Sequence, residues 1–159
     1  MKFYVRDSSA TYRRASSEEL LRAARTILRR KFRRGTAVRD PRSAGEYLVG
    51  ELAHLDHECF SILWLDARHR VLAFDPLFRG TIDGTSVYPR EVVRSAISVN
   101  AAACILAHNH PSGFGEPSPA DTRITQRLKA ALELVDVRVI DHLIVAADDC
   151  VSMAARGLL

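Results

Sequence analysis

His108 and His110 stand one residue apart, and a carboxylate, Asp121, follows them. The residues before them, 102–107, are an apolar run of strand length. On an extended chain successive side chains alternate between faces, so the two imidazoles point one way and Asn109 points the other. Two imidazoles on one face can hold a divalent metal, because each offers one ring nitrogen. Pro111 and Gly113 then end the strand and turn the chain. Ser118 is a good helix N-cap, and Pro119 suits the first helical position. Asp121 falls in that first turn, so its carboxylate can return beside the rings. Two His and one Asp leave a tetrahedral zinc one open position, as catalytic zinc sites do. Zinc lowers the pKa of the water there to about 7, and the resulting hydroxide can attack a carbonyl. A second carboxylate, not a ligand, must then take a proton and pass it to the leaving nitrogen.

Plainer readings exist for each piece. Ser118-x-x-Asp121 is also a capping-box pattern, which needs no metal. A His-x-His pair at an exposed strand end occurs for many reasons. The combination favours the metal: two same-face His, a Pro/Gly turn and a helix-start carboxylate lie between His108 and Asp121. For the proton-transferring carboxylate the candidates are Glu46, Glu51, Glu58, Glu91 and Glu116. Glu46 and Glu51 fall on a helix with a solvent face, and Glu116 is in the loop. Glu58 shares a strand face with Phe60, Ile62 and Trp64, and a carboxylate beside apolar surface can have a raised pKa. An edge-strand Glu that is merely solvated remains the alternative.

The elements that would position these groups alternate between helix and strand periods. Ser16 and Glu19 form a possible capping box. Leu20, Leu21, Ala24, Ile27, Leu28 and Phe32 then give an amphipathic helix with an Arg-rich outer face, broken by Gly35. A linker at 39–42 leads to a helix over 43–54. Strands over 58–65 and 71–78 flank a turn at 66–69 and make a hairpin. Gly80 and Gly84 belong to a loop or a short third strand. Pro89 opens a helix to about Ser98. The helix from Pro119 carries an inward stripe of Ile124, Leu128, Ala131, Leu132 and Val135. Residues 137–140 and 143–146 read as two strands or one broken strand, interrupted by Asp141 and His142. These two could be ligands, but face a polar edge or make a structural hydrogen bond in the simpler reading. His54, His57 and His69 are read as structural. The pattern indicates an α/β fold.

The 159 residues suit one domain with a full core. No stretch approaches the roughly 20 apolar residues of a membrane span, and the N-terminus lacks a signal-peptide core, so the expected location is cytoplasmic. Cys59, Cys104 and Cys150 each sit in an apolar run and read as buried core residues. The charge is uneven: residues 1–45 carry a net +9 and residues 46–159 a net −5. A basic arm ahead of an acidic domain can contact nucleic acid. A solvated or docked helix face is the favoured reading, because aromatic interleaving, on which single-strand binders stack bases, does not accompany the charges of the arm.

The pattern His-x-His, seven residues, Ser, two residues, Asp resembles the zinc motif of the JAMM (MPN+/JAB) metallopeptidase domain. The text Val87-Tyr88-Pro89-Arg90-Glu91, Asn100-Ala101-Ala102 and His108-Asn109-His110-Pro111-Ser112-Gly113 resembles its RadC branch. The likeness continues through Pro117-Ser118, Asp121, Thr125, Leu128, Asp141-His142-Leu143-Ile144-Val145 and Val151-Ser152. It implies a mixed sheet flanked by helices, a cytidine-deaminase-like sandwich, over residues 45–159, behind a basic helical arm at 1–44. It implies Zn2+ held by His108, His110 and Asp121. Glu58 matches the place of the catalytic Glu, and Ser118 that of the residue that donates to the oxyanion. Asn109 departs from the Ser or Thr of the general motif but agrees with the RadC branch; facing away from the metal, it bears on substrate contacts or local packing. The expected activity is that of a zinc metallopeptidase acting on peptide or isopeptide bonds. The alternative is a DNA-associated, repair-linked protein, with the metal serving nuclease chemistry or structure. Longer RadC relatives carry a helix-hairpin-helix region before this domain, where this chain has only the arm, which counts against direct DNA binding. A non-catalytic interaction module is disfavoured, because all four motif residues are present.

Overall fold

Two strands of the chain are buried along their whole length, and the fold is built around them. They are β3 (Cys59–Leu65, CFSILWL) and β5 (Ala103–Asn109, ACILAHN). The computed structural model describes residues 3–6, 10–82 and 84–159. In chain order the other elements are β1 (Tyr4–Arg6), β2 (Tyr12–Arg14), α1 (Ser17–Lys31), α2 (Pro41–Leu52), β4 (Val71–Arg79), α3 (Pro89–Ser98), α4 (Pro119–Glu133), β6 (Arg138–Ala146) and β7 (Asp149–Ser152). Strands β4-β3-β5-β6-β7 form one mixed sheet, with β5 and β6 parallel and the other pairs antiparallel. β1 and β2 form a separate antiparallel ribbon.

Alternation along the central strands sorts side chains into two cores. Leu63, Leu65, Ile105, Ala107 and Val145 pack beneath α2, against Tyr47, Leu48 and Leu52. Phe60, Ile62, Trp64, Cys104 and Leu106 pack on the other face, against Val92 and Ala96 of α3 and Leu128 and Leu132 of α4. Near-continuous apolar strands are what a sheet covered on both faces requires. β5 therefore delivers its even-numbered residues to the α3/α4 side. The α/β fold, a mixed sheet flanked by helices, agrees with the reading of the sequence.

Several elements differ in detail. α2 starts two residues early, because Asp40 caps it: its Oδ1 accepts from the Ser43 N–H at 2.7 Å, and Pro41 takes the first turn. β6 is one continuous strand through Asp141 and His142. The Asp141 carboxylate accepts from the backbone N–H of His142 (2.7 Å) and Ala154 (3.0 Å) and from the Ser152 hydroxyl (2.6 Å), so the polar pair does not break the strand. The helical stripe of α1 is mostly not buried: Leu21 and Ile27 are exposed, and no residue of α1 is fully covered. Of its apolar residues Leu28 packs on the body, followed by Phe32, which stacks on Tyr47 with ring centroids 4.8 Å apart. Gly50 permits the approach, since a Cβ there would lie 2.5 Å from Leu28 Cδ1. Cys59 and Cys104 are buried, Cys150 is half-buried, and all three are free. No helix among the described residues is long and apolar enough to cross a membrane.

Candidate metal centre

The ladder between β3 and β5 runs from Leu65↔Ala103 to Phe60↔His108. His108 is thus the last even-numbered residue of β5 inside the α3/α4 core, fully buried, its ring stacked on Phe60. His110 follows just beyond the strand, held by its N–H to the Val145 carbonyl (2.8 Å). The turn at Gly113, with φ +79°, brings the Phe114 carbonyl within 2.6 Å of His110 Nδ1. Ser118 then caps α4, and Asp121 stands at its third position.

Asp121 does what both sequence readings asked of it. Oδ2 accepts from the Ser118 N–H (2.7 Å) and hydroxyl (2.6 Å), and Ser118 Oγ accepts from the Asp121 N–H (3.1 Å), a complete capping box. Oδ1 faces the rings, 3.2 Å from His108 Nε2, and Oδ2 lies 3.7 Å from His110 Nε2. The cap fixes the carboxylate; it does not compete with the cluster.

Hydrogen-bond accounting settles how the rings are turned. The Thr125 hydroxyl donates to the Asp121 carbonyl at 2.6 Å, so its oxygen accepts from His142 Nδ1 at 2.6 Å. His142 Nε2 is then an acceptor, and the nitrogen it accepts from is His108 Nδ1, at 2.8 Å. His110 Nδ1 can only donate to the Phe114 carbonyl. Both rings have spent their outer nitrogen as a donor. In the neutral form of both rings the Nε2 lone pairs then face inward, 2.9 Å apart, toward a carboxylate. Three acceptors at such separations repel unless a cation sits among them. Metal–ligand distances of about 2.0–2.1 Å put tetrahedral zinc ligands about 3.3–3.4 Å apart. The two Nε2 atoms are 2.9 Å apart, each lies 3.2–3.7 Å from a different oxygen of the carboxylate, and one ligand atom from each residue falls within 4.8 Å of the others. The donor set and its spacing fit a divalent metal, and His108, His110 and Asp121 are the group among the described residues that could hold one.

When protons rather than a cation sit on the Nε2 atoms, the same groups pair as donors and acceptor. The Asp121 hydrogen bond raises the His110 pKa above its ordinary value, against the opposing effect of burial. Burial works to raise the Asp121 pKa, yet hydrogen bonds from His108, His110 and Ser118, with the charge of His108, hold it well below the carboxylate range. His142, buried and beside His108, lies well below the usual histidine range. It remains the neutral ring that the chain of hydrogen bonds needs.

Glu58 sits one residue before β3 and lines a cleft of about 620 Å³ with Phe60, Tyr88, His110, Ser118 and Asp121. The other four glutamates considered are engaged elsewhere: Glu46 by Lys31 and Arg42, Glu51 by Arg29, Glu91 by Arg90 and Arg94, Glu116 by Arg156. Ser118 reaches the same cleft, with its hydroxyl proton given to Asp121. Asn109 faces the opposite way, as strand parity requires, and bonds the backbone on either side of Glu58. His54, His57 and His69 take no part. Sequence reasoning gave His142 a structural hydrogen bond and did not place it behind the cluster. Thr125 it missed, although Thr125 lies one helical turn after Asp121 and so on its face.

A model of the RadC-like JAB domain family matches residues 38–158. A "UPF0758 protein" of Nitrosococcus oceani is 58% identical over 139 residues, 87% of this chain and 62% of its own. One of Stutzerimonas stutzeri is 54% identical over 143 residues, 90% of this chain and 64% of its own. This chain thus spans less than two thirds of those two relatives. A UPF0758 protein of Vibrio cholerae is 50% identical over 159 residues, the whole of both chains. With the domain family matched over most of its length and relatives of this identity, the chain belongs to the RadC family.

Proposed function

We propose that this chain is a zinc-dependent hydrolase of the metallopeptidase type that cleaves the amide bond of a peptide or isopeptide by attack of water on its carbonyl. The observation that carries the reading is the convergence of two Nε2 atoms and a carboxylate, with the other nitrogen of each ring bonded on its far side. Bound there, zinc supplies Lewis acidity toward water and toward a carbonyl. The chain's residues do the rest. His108, His110 and Asp121 would hold the metal, and His110 and Asp121 are partly exposed where they line the cleft, whereas His108 is buried. Glu58, across the cleft, accepts the proton of the attacking water and returns it to the leaving nitrogen. Rotation of the Ser118 hydroxyl away from Asp121 gives the developing oxyanion a donor.

The test begins with metal content. Protein purified without added metal should carry one zinc per chain, and His110→Ala should lose it. Equal zinc in both proteins defeats the ligand assignment. An internally quenched peptide library then screens wild type for cleavage.

A second reading, nucleic-acid association, gains support from the arm. The register Tyr4↔Arg14 and Arg6↔Tyr12 puts two tyrosines and two arginines on one exposed face of the β1–β2 ribbon. This corrects the expectation that aromatics do not interleave with the arm's charges: strand pairing, which the sequence did not signal, brings them together. Stacking plus phosphate contact is how single strands are bound. The full chain should bind a fluorescent single-stranded oligonucleotide with an affinity that falls steeply with salt. Changing Tyr4 and Tyr12 together to Ala should weaken it, and equal binding by this variant removes the ribbon from the reading.

A further inference from the structure

At the site end of β5 the two central strands part. Their ladder stops at Phe60↔His108, and continued register would set Cys59 opposite Asn109 and Glu58 opposite His110. On its other edge the chain stays with β6, the His110 N–H just past the strand donating to the Val145 carbonyl. The Asn109 carboxamide fills the gap. Its oxygen accepts from the Cys59 N–H at 2.8 Å, and its nitrogen donates to the His57 carbonyl at 2.9 Å. Asn109 is 2% exposed, and its bond to Cys59 is fully buried. From the other side the Glu58 N–H donates to the Thr81 carbonyl, and the Glu58 carbonyl accepts from the Gly80 N–H, both at 2.8 Å. Residues 57–59 are therefore gripped from both sides, and Glu58 projects into the cleft from between the grips.

We infer that Asn109 is a positioning residue that sets the Glu58 carboxylate relative to the metal ligands on either side of Asn109 in the chain. This rests on Glu58 as the proton-transfer group proposed above. One side chain, between the two ligand histidines, ties the strand that holds the metal to the segment that holds the carboxylate. The task needs an acceptor and a donor at one carbon, pointing at backbone groups of opposite sense two residues apart. Asp lacks the donor at neutral pH, and Ser, with one hydroxyl, cannot span both. Gln would carry the same groups one methylene too far.

The experiment uses the zinc-loaded full chain and the quenched peptides cleaved in the screen. Asn109→Ser and the isosteric Asn109→Asp are made on wild type and on Glu58→Gln, with circular dichroism and zinc content confirming each fold; two variants guard against one failing to fold. On wild type either change should keep one zinc and a near-normal KM, and lower kcat by about 10²-fold, the cost of a misplaced catalytic group. On Glu58→Gln the same change should lower kcat by no more than about two-fold, because residues that act as one unit are not additive. A full additional loss on Glu58→Gln overturns the inference, as does a loss of zinc, a change confined to KM, or wild-type kcat. If Glu58→Gln itself costs nothing, the reading of Glu58 has failed and the inference falls with it. If wild type cleaves no peptide, the hydrolase reading has failed first.

Discussion

The cluster has a back and a front, and they are built differently. Behind the ligands everything is buried and bonded. The Asp121 carbonyl, Thr125, His142 and His108 form one directed line of hydrogen bonds, with the last three residues fully covered. In front, Glu58 and Ser118 face an open cleft, and Glu58 makes no hydrogen bond with its carboxylate among the described residues. The back fixes which ring nitrogen faces the cluster; in the proposed hydrolase the front is left free to move protons. An over-determined rear wall lets the working groups stay uncommitted, because the ligands need no help from them to stay in place.

The comparison makes separable demands. The largest effect is expected at the front: Glu58→Gln should keep its zinc and its fold while hydrolysis of the screened peptide falls by about 10²–10⁴, the usual contribution of a positioned acid–base group. Asp121→Asn, by contrast, should lose zinc and activity together. Loss of zinc from Glu58→Gln would make Glu58 a ligand and erase the distinction between front and back. A smaller effect is expected at the back. Thr125→Val removes the hydroxyl that orients His142 while keeping the volume, and zinc affinity measured against a chelator should fall by about 10–100-fold. Thr125→Ser should restore it. An unchanged affinity in Thr125→Val, beside a clear loss in His108→Ala, would show that the line of hydrogen bonds does not set the ring.

Much of the front and little of the back was legible in the sequence. Strand parity placed His108, His110 and Asn109, and the Ser118–Asp121 spacing placed the carboxylate, because both depend on local periods that the chain states directly. The helices at Pro89 and Pro119 and the hairpin of β3 and β4 followed from the same periods. The line through His142 depends on β6 lying parallel to β5 with α4 across it, a long-range meeting with no local signature. Asp141 and His142 looked like a break for that reason: their partners lie at Ser152, Ala154, Thr125 and His108. α1 misled in the opposite sense. Its period is real and its box at Ser16 and Glu19 is complete, but periodicity says which face could be buried, not whether anything arrives to cover it.

The alternation along β5 also governs which length changes the gene can survive. One residue inserted between Ala103 and His108 would turn every following side chain to the other face, sending both imidazoles toward α2 and Asn109 into the cleft. No substitution could compensate, since the error lies in parity rather than in any side chain. The loop from Pro111 to Pro117 has no such arithmetic past Phe114, whose carbonyl holds His110 Nδ1: from there it must only return the chain to Ser118, whose cap aims Asp121 by itself. Insertions and deletions between relatives should therefore collect after Phe114 and be purged from the strand, and a panel of single-residue insertions scored for retained zinc would display the boundary there.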